Sequence, residues 1–161
     1  MEKDKRLREH LVYLLEGGGA HMDVRTVTAN MPFDLQGERP QGAINTPWKI
    51  LDHMRIAQWD IVEFSRDPDH ESPEWPDGYW PKEDAPADEA AWEERVEDFL
   101  FDLDQMVQLV EDTDRDLYEP FPWGDGQTLL REALLLADHN SYHLGQLVLL
   151  RRELGSWPPD K

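Results

Sequence analysis

His139 and His143 stand four positions apart in the stretch 138–146, which reads Asp-His-Asn-Ser-Tyr-His-Leu-Gly-Gln. At ~100° per residue, positions i and i+4 of a helix lie only ~40° apart, one turn above the other. Both imidazoles can then aim at one point. A third histidine, His53, falls on a separate amphipathic stretch able to face them. Three neutral imidazoles converging between helices would suit a divalent transition metal. The spacing alone is equally at home on a surface or in a core. Two features favour ligands: the helix carrying His139 and His143 is otherwise apolar, where an unpaired imidazole is costly to bury, and His53 also lies on an apolar stripe. Gln146 extends the same face by one turn. Gly145 weakens a helix interior and suggests close approach of a backbone or ligand.

Related chemistries are excluded by what is missing. Asn140 follows His139, so the glutamate base of a His-Glu-x-x-His zinc protease is absent. No Glu-x-x-His occurs anywhere, which removes a ferritin-like di-iron site. The chain has no cysteine, so disulfides, zinc ribbons and a cysteine nucleophile are excluded, and any thiol must come from a small molecule.

The elements that must position the histidines read as helices. Residues 3–16 carry Leu7, Leu11, Leu14 and Leu15 at helical spacing, ended by Gly17, Gly18 and Gly19. Residues 20–31 have β-branched character but a 3–4 period, and predict a second helical piece. Residues 32–45 read as a loop. Thr46 and Pro47 form a strong start, N-cap and first turn, for a helix to about Phe64 that bears His53. Residues 65–87 hold five prolines together with Trp75, Tyr79 and Trp80, and are expected to fold back over the helices, as packing or as a lid. Asp88 caps a helix over 89–112. Thr128 caps the last, to about Leu154, where Arg151 and Arg152 complement the negative end and Gly155 is a natural C′ residue. The prediction is one all-α domain over residues 1–161: a four-helix bundle with long Pro/Trp-containing connecting loops.

Charge and hydropathy narrow the partners. With 35 acidic against 16 basic side chains the net charge is −19, which repels nucleic acid and anionic membrane surfaces. No apolar run approaches the ~18 residues of a membrane span. No signal-like segment opens the sequence, and the expected compartment is the cytoplasm. Asp60, seven residues after His53, and Glu132, seven before His139, can share the ligand faces as supporting acceptors or serve as surface carboxylates. Tyr142 is expected in the core or beside a substrate. His21 could approach the mouth of the site. Asp52 and Asp138 should point away from it into solvent.

Trp48, Leu51 and His53 in the second long helix, with His139-x-x-Tyr142-His143-x-Gly145-Gln146 in the last, resemble the DinB-like superfamily of metal-binding four-helix-bundle proteins, along essentially the whole chain. Leu144 stands where many members carry arginine. The resemblance implies that His53, His139 and His143 ligate a divalent ion, zinc or nickel foremost, with remaining positions open. It further implies a transferase using a low-molecular-weight thiol such as bacillithiol, mycothiol or glutathione on a small-molecule substrate, and a homodimer. A metal-hydroxide hydrolase on the same site, or a metal-binding protein without turnover, are the alternatives.

Overall fold

The computed structural model describes residues 2–159, which are all-α, with no strand among the described residues. The helices are α1 (Glu2–Glu16), α2 (Val24–Thr28), α3 (Phe33–Gln36), α4 (Pro47–Arg66), α5 (Ala90–Glu111) and α6 (Leu129–Glu153), with a 3-10 turn at Asp77–Tyr79. Local chemistry sets the starts. The Thr46 hydroxyl accepts from the Lys49 N–H at 3.2 Å, with Pro47 in the first turn. Thr128 does the same for Arg131 at 3.2 Å. Asp88 accepts from the N–H groups of Ala90 and Ala91 at 3.0 and 3.1 Å. Each contact satisfies a donor that a helix start otherwise orphans. Gly155 takes φ 74° just past α6, as a C′ residue should.

The expectation at residues 20–31 was too long. Asp23 caps from outside, accepting from Thr26 N–H at 2.7 Å, so α2 cannot begin earlier. It ends after Thr28, and Asn30 turns to φ 51°. One turn of helix, α3, sits where a loop was expected.

Four long helices make the body. α4 packs against α5 and α6, and α1 packs against the same two. Leu51, Met54 and Val62 of α4, Trp92, Phe99 and Met106 of α5, Leu136 and Leu147 of α6, and Leu11 of α1 share one apolar core. Inside it Gln58 is fully buried. Its amide donates to the Phe99 carbonyl, and its oxygen accepts from the Asn140 side chain at 2.9 Å. That ladder ties α5, α4 and α6 in one register, because a buried amide is costly unless paired.

Two arginines close helix ends from a distance. α5 has no basic residue in its last turn. Arg8 of α1 reaches across instead, donating to the carbonyls of Val110 at 2.7 Å, Asp112 at 3.0 Å and Arg115 at 2.7 Å. Arg151 does not merely complement its own helix end, as expected. It is fully buried and donates to Val27 O at 2.6 Å, Ala29 O at 2.8 Å and Ser156 O at 2.9 Å. It thereby clasps the end of α2 and the chain beyond α6 together.

The segment 67–89 folds back along α4. Asp60 holds it through the Tyr79 hydroxyl, which donates at 2.7 Å, and the His70 ring at 2.8 Å. Near its far end the Thr46 hydroxyl donates to Asp84 O at 2.6 Å. No helix among the described residues is long and apolar enough to cross a membrane.

Candidate metal centre

The register of α4 against α6 brings His53 to His139 and His143. His53 Nε2 lies 3.1 Å from His143 Nε2 and 3.1 Å from His139 Nε2. Ring centroids are 4.5 to 5.0 Å apart. Nitrogens bound to one tetrahedral zinc at ~2.05 Å are about 3.3 Å apart, so both contacts of His53 are at ligand spacing, and the three ligand atoms lie within 4.8 Å of one another. His53 and His143 are buried and His139 is half-buried.

The ring protons show what this spacing is suited to. His53 Nδ1 lies 2.8 Å from the Tyr79 carbonyl, an acceptor, so Nδ1 carries the hydrogen and Nε2 is a bare lone pair. His143 Nδ1 lies 2.7 Å from Gln146 Oε1, with the same consequence. A proton on His139 Nε2 can serve His53. The His53–His143 contact is then lone pair against lone pair, unfavourable unless a cation lies between. Burial keeps the rings neutral. His139 is lowered to about 3, by desolvation first and then by His143 and His53. His143 is lowered to about 4, by desolvation and then His53. His53 is lowered too, burial outweighing the Tyr79 carbonyl and Asp52. The donor set therefore fits a divalent metal, and its outer nitrogens are held as ligand histidines usually are.

Trp80 stacks flat on His53, with centroids 3.8 Å apart and planes 2° off parallel. Tyr142 meets His143 edge to face at 4.9 Å and is exposed rather than packed in the core. Gln146 stands between His143 and a cavity of ≈ 410 Å³ walled by Asn45, Ile50 and Leu150.

Of the other expected residues, Gln146 is the only one bonded to a triad ring. Asp60 is buried rather than a surface carboxylate, and it binds His70 and Tyr79. It acts on His53 at one remove, by anchoring the loop whose carbonyl orients the ring. Burial and Asp60 together push the Tyr79 phenol up to about 12. Glu132 is buried against Arg131 at 2.6 Å, and desolvation raises its pKa despite that cation, with Asp60 adding to the rise. It bonds no ligand histidine. His21 lies off the site, bonded to Met22 O and to Ser141 Oγ at 2.9 Å each. Asp138 is exposed as expected, but Asp52 is buried and paired with Arg55 at 3.0 Å and Arg95 at 3.2 Å. No backbone approaches Gly145: a Cβ there would meet nothing within 4 Å. Trp80 and the Tyr79 carbonyl were missed as parts of the site. Their only sequence signal was a proline-rich loop too aromatic to be disordered.

The fold is thus all-α, and α4 and α6 gather three histidines in a group that could hold a metal ion. The model of the DinB superfamily matches residues 19–147, and the chain belongs to that superfamily. Comparisons with curated proteins and with solved structures return no match.

Proposed function

We propose that the protein is a divalent-metal-dependent enzyme whose ligands are His53, His139 and His143, and that its reaction uses a low-molecular-weight thiol against a small electrophile. The observation that carries the metal reading is the His53–His143 contact, in which both nitrogens have committed their protons elsewhere. A divalent ion such as zinc or nickel would supply an open Lewis-acid position that lowers the pKa of a bound thiol or water.

The chain's own residues supply the rest. The Tyr79 carbonyl and Trp80 hold the His53 ring, and Gln146 holds His143. Tyr142, exposed beside His143, lines the approach, and the ≈ 410 Å³ cavity beyond Gln146 receives the substrate body. Asp60 is held by the loop and Glu132 by Arg131, so neither stands free as a general base. Water starts from a pKa of about 15.7 and depends wholly on the metal to become a nucleophile. A thiol, with a pKa near 8.5 for the cysteine type, needs much less help. With no cysteine in the chain, that thiol arrives as a cosubstrate. The same reading places the protein in the cytoplasm, where such thiols are abundant, as a homodimer.

Elemental analysis of untagged wild type and His139→Ala tests the ligand set: one equivalent of metal in the first and none in the second. A panel of thiols and electrophiles, assayed with metal and after chelation, tests the reaction. Metal-dependent thiol consumption is the expected result. Bound metal without turnover leaves a non-catalytic metal-binding protein, and hydrolysis without thiol turns the reading to a hydrolase.

A further inference from the structure

Ser141 and Gly145 lie two positions either side of His143, about 160° around α6 from it. They border a cavity of ≈ 540 Å³ on the face turned away from the triad. The opposite wall is the turn over residues 18–22, with Val27 of α2 and Trp157 completing the lining. His21 pins this turn: one ring nitrogen bonds Met22 O and the other Ser141 Oγ, each at 2.9 Å. Gly145 leaves the floor bare, since nothing lies within 4 Å of where its Cβ would be. The lining is otherwise largely apolar: Met22, Val27, Leu144, Val148, Leu149 and Trp157.

One cation stands at the rim. Arg152 lines the cavity and, among the described residues, has neither a carboxylate nor a carbonyl on its guanidinium. Its neighbour Arg151 spends its guanidinium on main-chain carbonyls. An open apolar groove with a single exposed cation at its rim complements a molecule with an apolar body and one negative charge. The volume lies within the ~300–1,000 Å³ typical of small-molecule sites.

We infer that this cavity binds a small amphipathic monoanion, a carboxylate with a short aliphatic or aromatic body. The carboxylate pairs with Arg152, for which a two-pronged guanidinium contact is the strong geometry. The body lies against Val27, Leu144, Val148 and Trp157, over the bare floor at Gly145. The chain's overall negative charge opposes this only weakly, because it is screened beyond ~8 Å at physiological ionic strength. The site is independent of the metal reading: it uses the other face of α6 and none of the triad.

Calorimetric titration of the full chain with octanoate, 1-naphthoate and the neutral analogue 1-octanol tests it. Arg152→Gln should weaken the carboxylates about tenfold or more and leave 1-octanol unchanged. Gly145→Leu should fill the floor and abolish binding of both carboxylates. It should also melt no lower than wild type, because leucine is the better helix former and its Cβ meets nothing within 4 Å. Unchanged metal content in both variants separates this result from any change at the triad. Absence of saturable binding of either carboxylate by wild type overturns the proposal. Binding undiminished in Gly145→Leu, or carboxylate affinity unchanged in Arg152→Gln, overturns it equally.

Discussion

Replacing His143 by leucine should make metal-free and metal-loaded stabilities move in opposite directions. In the metal-free protein the bare Nε2 atoms of His53 and His143 face each other at 3.1 Å in a buried setting. An unsatisfied buried acceptor costs about 1–3 kcal/mol. Leucine removes one of the two and leaves His53 Nε2 to accept from His139, 3.1 Å away. Against that, the His143–Gln146 hydrogen bond is lost, worth about 1 kcal/mol. Gln146 is only half-buried and can turn its oxygen to water. The metal-free variant should therefore equal or exceed wild type by about 1 kcal/mol. With zinc at a hundredfold excess over its Kd, wild type gains about 2.7 kcal/mol and the variant little or nothing. At about 2–4 °C per kcal/mol for a chain of this size, wild type should rise by ~5–11 °C on adding zinc. The assay is thermal unfolding after exhaustive chelation, with and without added zinc. Equal zinc shifts in both proteins would refute the ligand assignment. A metal-free variant melting well below wild type would refute the lone-pair argument.

Other outcomes follow from the same contacts. Asp60→Asn should loosen the loop that presents the Tyr79 carbonyl and weaken metal affinity about 10- to 100-fold without removing a ligand, read by competition with a chelating dye. Arg151→Met should cost about 3 kcal/mol or more in denaturant unfolding, because several carbonyls lose a charged donor at a fully buried position. Asp102 is raised to about 6, chiefly by desolvation on α5. The unfolded chain gives up this proton near pH 4 and the folded chain near 6, so stability falls as pH rises between them. The bound is about 3 kcal/mol, with 1–2 more realistic after relaxation. Asp102→Asn should then be the more stable protein at pH 7 and lose that slope in melts from pH 4 to 7.

The long helices and the triad were legible because their signals are local and periodic. Thr46-Pro47, Asp88 and Thr128 announce helix starts through chemistry confined to a few residues. The i, i+4 spacing places His139 and His143 together whatever surrounds them. His53 joined them through an apolar stripe and a family resemblance. What stayed hidden depends on contacts between distant segments. Arg8 reads as one more charge on an exposed helix, yet it closes an end more than a hundred residues away. Asp52 and Asp60 read as surface carboxylates because nothing nearby in the chain reveals Arg95, His70 or Tyr79. The shortness of α2 was not legible because the 3–4 period runs on past both the Asp23 cap and Ala29.

The contact between His53 and Tyr79 runs through a peptide oxygen, and every amino acid has one. Replacements at position 79 therefore keep the acceptor itself and act on the imidazole only through the phenol that anchors the loop to Asp60. Gaining or losing one residue between Asp60 and Tyr79 would instead slide a different peptide group opposite the ring. Natural variation in this stretch should be strict in length and tolerant of residue type except at the anchors His70 and Tyr79.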